Sequence, residues 1–246
     1  MLKESDCIFG LRPVIEAIRA GKQIDRLLIK QGLQSPLYHE LMIEVRKHNI
    51  VCQIVPVERI ELVTRKNHQG VLAWLSVIEY QHITNLLPMI FEKGEDPLIV
   101  ALDGVSDVRN FGSIVRTAEC LGSHTIVIPE KGSARITADA VKTSAGALHT
   151  FPVCRERSIV KSTEFLKNSG LKVICAAEKS GETASRTDLT GPVVLILGSE
   201  DKGISRELMA MADHTVRIPM KGSISSLNVS VAAGILLYEI LRQRNA

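Results

Sequence analysis

Short apolar runs alternate with amphipathic segments along most of the chain. Residues 98–103 and 193–198 are continuous apolar runs, which is typical of strands buried on both faces of a parallel sheet. The same pattern predicts further strands at 124–128, 147–153, 171–176 and 214–218, and helices at 111–121, 137–145, 158–168, 205–212 and 228–243. We therefore expect an α/β fold with a doubly wound, mostly parallel sheet in the C-terminal part.

The N-terminal part has its own alternation of helices and strands. Helices are predicted at 11–20 and from 35 to near 49, and strands at 26–30, 50–55 and 70–77. This predicts a small α/β domain at 1–77. Segment 78–97 contains Pro88, Gly94 and Pro97, so we expect a linker there with one short helix around 86–92. The second domain then spans 98–246.

Three predicted strands of the second domain end in loops that carry small and polar residues. These loops follow 98–103, 193–198 and 214–218, and the last one leads into Ser226 and Asn228 at a helix start. Ligands bind outside the carboxyl ends of the strands in open α/β sheets, so three such loops predict one shared site. The alternative for Ser226 and Asn228 is simple helix capping.

Two common nucleotide sites do not fit these loops. Gly198 and Gly203 have the spacing of the outer glycines of a phosphate-binding loop, but Ile204 stands where that loop needs lysine. No strand is followed by the GxGxxG pattern of dinucleotide sites. An ATP or dinucleotide site is therefore disfavoured.

The loops instead resemble three motifs of one enzyme family. The matching residues are Asn110 with Arg116, then Gly198-Ser199-Glu200-x-x-Gly203, then Ile218-Pro219-Met220 followed by Ser226-Leu227-Asn228-Val229-Ser230. In order and separation they resemble the SpoU (TrmH-like) RNA 2′-O-methyltransferases. Residues 8–18 and 67–71 resemble the substrate-binding extension of that family. One departure is Val108, where the family often has proline.

The resemblance implies a fold, a cofactor and a set of site residues. It implies a trefoil knot in the C-terminal domain, a feature that the hydrophobic pattern does not suggest. It implies S-adenosylmethionine as cofactor, held by Leu197, Gly198, Gly203, Ile218, Met220 and Leu227. The catalytic residues that it implies are Asn110, Arg116, Glu200, Ser226 and Asn228.

Arg116 has two interpretations. The buried stripe of its predicted helix is Phe111, Ile114, Val115 and Ala118, which turns Arg116 outward. It could simply pair with Glu119 on the surface. The resemblance instead implies that its guanidinium lies at the target ribose, near a substrate phosphate. A free guanidinium is a poor base, so the proton of the hydroxyl is taken either by Arg116 in a tuned state or through the phosphate.

Composition limits the partners without identifying them. The net charge of +3 does not by itself indicate RNA binding, and the RNA contacts expected at Arg12, Arg109 and Lys142 come with the resemblance. The five cysteines are odd in number and widely separated, which predicts reduced thiols, and no metal-ligand spacing occurs, so no metal is expected. We expect a cytoplasmic protein, because the sequence shows no membrane-length apolar run and no signal peptide.

The resemblance is strongest to members that methylate a guanosine ribose in large-subunit (23S-type) ribosomal RNA. Two alternatives remain open, a transfer RNA substrate and a non-catalytic RNA-binding module of the same fold. A homodimer is also expected, from the resemblance and from a wide apolar face on the last helix, made of Val229, Ala232, Ala233, Leu236, Leu237, Ile240 and Leu241.

Overall fold

A computed structural model describes residues 7–48, 50–178, 182–223 and 226–246. The chain divides into two compact units, Met1–Val77 and Ile78–Ala246.

The smaller unit is a four-stranded sheet with helices on both faces. Its elements are β1 (Cys7–Phe9), α1 (Leu11–Arg19), β2 (Ile24–Lys30), α2 (Pro36–Lys47), β3 (Cys52–Val55), α3 (Val57–Glu61) and β4 (Val71–Leu75). The strand order is β1-β4-β2-β3, and β2 and β3 run parallel while the other pairs are antiparallel. Leu27 and Ile29 pack with α1 and α2 on one face, and Leu28 and Leu72 pack with Ile60 of α3 on the other.

The start of α1 is held by a residue distant in sequence. Oε1 of Gln69 accepts a hydrogen bond from the Leu11 backbone N–H at 3.1 Å, which satisfies one of the unpaired donors of the first turn. Gln69 has φ 50°, in the left-handed region that non-glycine residues rarely adopt. The two N-terminal segments identified in the sequence, 8–18 and 67–71, are therefore joined in the structure.

The larger unit is built around an eight-stranded sheet. Its elements are β5 (Tyr80–Gln81), α4 (Ile83–Glu92), β6 (Leu98–Asp103), α5 (Val108–Cys120), β7 (Thr125–Pro129), α6 (Ala138–Thr143), β8 (Val153–Glu156), α7 (Ile159–Asn168), β9 (Lys172–Ala176), β10 (Glu182–Thr183), β11 (Val193–Gly198), α8 (Arg206–Met211), β12 (His214–Arg217) and α9 (Val229–Arg244). The strand order is β10-β12-β9-β11-β6-β7-β8-β5, and every pair is parallel.

The central strands are buried on both faces, as their continuous apolar runs predict. Val100 and Leu195 face one side, where α5 and α9 complete the core. Ile99 and Ile196 face the other side, where α4, α7 and α8 cover the sheet. The predicted doubly wound parallel sheet is therefore confirmed, while the trefoil knot stays a prediction.

Two segments differ from the sequence prediction. Residues 147–153 were expected as a strand, but Ala147–His149 form a 3-10 turn and β8 begins at Val153. The cause lies just before, where Ala145 and Gly146 have φ 51° and 88° and reverse the chain.

The segment 78–97 also differs from the linker predicted there. Strand β5 pairs with β8 at the edge of the large sheet, and α4 buries Ile83, Leu87 and Ile90 against it. Oε1 of Glu156 accepts a hydrogen bond from the Ile83 backbone N–H at 2.8 Å, which holds the start of α4. Most of this segment is therefore part of the larger unit.

The last helix buries most of the wide apolar face from which a homodimer was expected. Val229, Ala233, Leu236, Leu237 and Ile240 all belong to the core of the larger unit. A different face of α9 is open to solvent, with exposed fractions of 50% for Val231, 41% for Ile235 and 59% for Tyr238. Burial within one subunit therefore accounts for most of that face, and the homodimer stays a prediction.

The cysteines are all free thiols. Burial raises the pKa of Cys154 to about 11 and that of Cys175 to about 12, whereas Cys120 is exposed rather than in the core. Within the described ranges, no three His, Cys, Asp or Glu side chains are grouped so that they could hold a metal ion. No helix in those ranges is long and apolar enough to span a membrane.

Candidate functional site

A cavity of about 480 Å³ lies at the carboxyl ends of β9, β11 and β12. This is the edge of the sheet where the polar loops were predicted to meet. Its wall includes all six residues predicted to bind the cofactor, namely Leu197, Gly198, Gly203, Ile218, Met220 and Leu227. Glu200 and Ser226, two of the predicted catalytic residues, also line it.

The loop after β11 closes tightly on itself, and this closure explains its two glycines. The Gly203 backbone N–H donates to the Ser199 carbonyl at 2.9 Å, and the Lys202 N–H donates to Ser199 Oγ at 3.2 Å. A Cβ on Gly198 would lie closer than 3.0 Å to backbone atoms of Gly203 and Ile204. Gly203 has φ +66°, which favours glycine. The glycine spacing therefore serves a compact turn beside the cavity.

A polar cluster joins the three motifs. Asn228 Nδ2 donates to Asn110 Oδ1 at 3.0 Å and to Glu200 Oε1 at 2.8 Å, and Asn110 Nδ2 donates to the same Glu200 oxygen at 3.1 Å. These residues come from the first turn of α5, the loop after β11 and the residue that precedes α9. Glu200 and Asn228, which lie 90 and 118 positions after Asn110, are thus in direct contact with it.

Local capping fixes the orientation of the two asparagines. Asp107 Oδ1 accepts from the backbone N–H groups of Arg109 and Asn110 at 2.9 and 2.8 Å, which caps α5. Asn228 caps α9, and its Oδ1 accepts from the Ser230 N–H at 2.9 Å and from Ser230 Oγ at 2.6 Å. Asn228 therefore both caps α9 and joins the polar cluster, so its helix-capping role does not exclude a role in the site.

Arg116 points away from the helix core, as its position in the stripe predicts. It is exposed on α5, and within the described part of the chain it makes no ion pair with Glu119 and no side-chain hydrogen bond. Arg116 is not among the residues that line the cavity. Its guanidinium is therefore available to a partner molecule.

The three predicted RNA contacts lie on exposed surfaces. Arg109 is in the first turn of α5, and Lys142 is on α6. These two helices pack so closely that a Cβ at Gly112 would lie within 3.0 Å of the Ala140 carbonyl oxygen. Arg12 is exposed on α1 of the smaller unit.

The structure adds cavity residues that were not among the predicted cofactor or catalytic residues. The cavity is also lined by Ala176, Ala177, Glu178, Val229, Ala232 and Leu236. Val229 belongs to the third motif, whereas the first three lie at the carboxyl end of β9, a strand end that the same rule would have indicated. Ser230 was given no role beyond its place in the third motif, yet its hydroxyl donates a hydrogen bond to Asn228 Oδ1 and orients that side chain.

Comparison with known protein families agrees with this geometry. Residues 97–238 match the model of the SpoU rRNA Methylase family, and residues 7–81 match the model described as RNA 2′-O ribose methyltransferase substrate binding. The chain belongs to the SpoU methyltransferase family. This confirms the family predicted from the motifs, and with it the class of RNA methyltransferases.

Individual relatives of this SpoU chain match along almost its whole length. YacO of Bacillus subtilis, which carries the name of a TrmH family tRNA/rRNA methyltransferase, is 33% identical over 100% of this chain and 98% of its own length. The crystal structure of the SpoU methyltransferase AviRb from Streptomyces viridochromogenes in complex with AdoMet has 28% identity and a TM-score of 0.61, and the match covers 96% of this chain and 89% of AviRb. An AdoMet-bound rRNA methyltransferase from Sinorhizobium meliloti has 26% identity and a TM-score of 0.61, with 96% and 86% covered.

Val108 marks a departure from the usual family sequence. It is the first residue of α5, directly after the capping Asp107. Proline is favoured at this position of a helix, and its role there is to fix φ. Asp107 caps α5, so the helix begins at Val108 without a proline.

Proposed function

We propose that the chain transfers the methyl group of S-adenosylmethionine to the 2′-hydroxyl of a guanosine ribose in large-subunit (23S-type) ribosomal RNA. The observation that carries this proposal is the contact of Asn110, Glu200 and Asn228 beside an apolar cavity. The cavity offers a place for a small cofactor, and the polar cluster offers groups that orient a reacting hydroxyl. We also propose a cytoplasmic location, where a ribosomal RNA substrate would be available.

The residues of the cavity fit S-adenosylmethionine. Its volume of about 480 Å³ lies within the range of about 300–1,000 Å³ that is usual for small-molecule sites. Leu197, Ile218 and Leu227 offer apolar surface for an adenine ring, and the backbone of the tight Gly198 loop offers polar groups. When bound, the cofactor supplies an electrophilic methyl on a sulfonium. The acidic Glu200 on the wall is compatible with that positive charge.

The reaction requires removal of the proton of the 2′-hydroxyl as its oxygen forms a bond to the methyl carbon and the carbon–sulfur bond breaks. We assign Arg116 to the RNA side, where its free guanidinium binds a phosphate and makes the hydroxyl more acidic. The proton leaves either to Arg116 or through that phosphate. Asn110, Ser226 and Asn228 position the reacting groups, and Glu200 holds the asparagines in place.

The smaller unit supports ribosomal RNA over transfer RNA. The Sinorhizobium meliloti rRNA methyltransferase matches 96% of this chain, so its match extends over the smaller unit. The structure named A. aeolicus TrmH/SpoU tRNA modifying enzyme is 34% identical but matches only 61% of this chain. The unit at 1–77 is therefore the part of the chain that supports a ribosomal substrate. Arg12 in the smaller unit and Arg109 and Lys142 in the larger unit are the proposed RNA contacts.

Labelled methyl transfer tests this function. The protein is incubated with labelled S-adenosylmethionine and, separately, with ribosomal RNA and transfer RNA that lack the modification. We expect label in ribosomal RNA, located at a guanosine 2′-oxygen by nuclease digestion and mass spectrometry. A methylated base would refute the chemistry, and methylated transfer RNA would refute the choice of substrate.

Calorimetry separates this function from a nucleotide enzyme and from a binding module. We expect saturable, micromolar binding of S-adenosylmethionine by the full chain and no comparable binding of ATP or NAD, since the Gly198 loop lacks the phosphate-binding lysine. Binding of RNA without S-adenosylmethionine would favour the non-catalytic module. The polar cluster argues against the non-catalytic module, because a protein that only binds RNA does not require it.

We also propose that the chain forms a homodimer through the solvent side of α9. Val231, Ile235 and Tyr238 are spaced four and three residues apart, so they form one exposed apolar stripe on the helix. Apolar stripes of this kind mark contact surfaces.

We expect sedimentation of the wild type at twice the 27.0 kDa chain mass and of Ile235→Arg at the chain mass. Leu62→Arg is the matched control, because Leu62 is 83% exposed in the smaller unit and lies outside the stripe. A wild type that sediments as a monomer at micromolar concentration, or a dimer that survives Ile235→Arg, would contradict this surface.

A further inference from the structure

Asp103 ends strand β6 and lies beneath the loop that forms one wall of the cavity. Its Oδ2 accepts a hydrogen bond from the Ser205 backbone N–H at 2.7 Å, across 102 positions of sequence. Asp103 is also the strand partner of Gly198, the residue at which the loop begins. Asp103 itself does not line the cavity.

The Ser205 backbone N–H has no hydrogen-bond acceptor within its own helix, α8. Ser205 precedes α8 and makes no side-chain cap, so the first turn of that helix depends on other acceptors. A hydrogen bond to a carboxylate is stronger than one between neutral groups. The buried Cys175 lies on β9, two strands away from Asp103. Burial raises the pKa of this thiol, and the negative charge of Asp103 raises it further.

We propose that Asp103 is a positioning residue for the cofactor, because it holds both ends of the 198–205 loop on one strand terminus. Strand pairing fixes the entry at Gly198, and the carboxylate fixes the exit at Ser205. Between the two ends, Glu200 and Ile204 line the cavity. Loss of the carboxylate frees the exit and lets this wall move away from the cofactor. The inference rests on the proposed cofactor.

The chain offers matched variants on both sides of this hydrogen bond. Asp103→Ala removes the acceptor. Ser205→Pro removes the donor at a residue whose φ of −59° suits proline. Ser205→Ala keeps the N–H and removes only a buried hydroxyl that has no partner. Asp103→Asn keeps an oxygen acceptor and tests partial rescue.

The first readout is calorimetric affinity for S-adenosylmethionine. We expect Asp103→Ala and Ser205→Pro to weaken it roughly ten- to a hundredfold, the range for a hydrogen bond to a charged group. Ser205→Ala should stay within about twofold, and Asp103→Asn should lie between wild type and Asp103→Ala. Since the two changes break one bond, the double variant should be no weaker than the weaker single variant.

Kinetics and amide exchange separate positioning from general destabilisation. We expect Asp103→Ala to raise the KM for S-adenosylmethionine while kcat at saturating cofactor stays within about threefold of wild type. Hydrogen exchange of the 199–205 backbone should speed up in Asp103→Ala without cofactor, which tests the loop even if the proposed cofactor is wrong. Equal losses in Ser205→Ala and Ser205→Pro, unchanged affinity in Asp103→Ala, or unchanged exchange of the loop would overturn the proposal. Failure of the wild type to bind S-adenosylmethionine would instead refute the proposed function.

Discussion

Arg116→Ala should lower methyl transfer by about a hundred- to a thousandfold while affinity for S-adenosylmethionine stays within a few-fold. Preorganised charge at a reacting centre commonly contributes a factor of about 10²–10³ to kcat. Arg116 is exposed, lies outside the cavity wall and makes no side-chain hydrogen bond or ion pair with the described residues, so its removal should leave the cofactor site and the fold unchanged. Single-turnover transfer and calorimetry measure the two quantities.

Arg109→Ala is the matched control for this variant. Arg109 lies two turns earlier on the same helix face and is assigned to phosphate binding alone. We expect it to raise the KM for RNA and to reduce the salt dependence of binding, with kcat little changed. If Arg116→Ala abolishes cofactor binding, or if transfer survives the change, the role given to Arg116 is wrong.

Gly198→Ala should abolish measurable binding of S-adenosylmethionine and destabilise the fold. The added Cβ would lie closer than 3.0 Å to the carbonyl carbon and oxygen of Gly203 and to the nitrogen of Ile204. These are backbone atoms of the cavity wall, so the loop itself must move. Overpacking of this kind costs about 1–3 kcal/mol or more. Chemical denaturation and calorimetry would measure the loss of stability and of affinity.

Two other glycines separate steric clash from backbone strain. Gly222→Ala meets no atom within 4 Å and does not have a left-handed backbone, so stability should change by less than about 0.5 kcal/mol. Gly203→Ala also meets open space, but its φ of +66° should cost about 1 kcal/mol. Retained cofactor affinity in Gly198→Ala would show that the tight turn is not needed for the cavity.

Sequence patterns were sufficient for the parallel core and insufficient where tertiary contacts dominate. The runs at 98–103 and 193–198 could be assigned because a strand buried on both faces has no polar alternation. The segment 78–97 was expected to be a linker with one short helix around 86–92, yet α4 begins at Ile83, and Ile83 and Ile90 are buried against the large sheet. The local sequence does not show that this burial is available.

The site was predictable to the extent that motifs carried it. All six expected cofactor residues line one cavity, because each lies at the carboxyl end of β11 or in the segments that follow β11 and β12. The apolar composition of α9 could not tell which side faces the core, since the helix is apolar on more than one face. The hydrogen bond from the Ser205 backbone N–H to the Asp103 carboxylate could not be predicted either, because the two residues are 102 positions apart in the sequence.

The hydrogen bond between Asn110 and Asn228 has a consequence for biosynthesis, because it joins residues 118 positions apart. Long-range contacts of this kind slow folding, since a large loop must close before the contact contributes stability. Asn228 is synthesised 118 residues after Asn110. A growing polypeptide therefore cannot assemble the polar cluster until Asn228 has emerged, and the enzyme is not competent before that point.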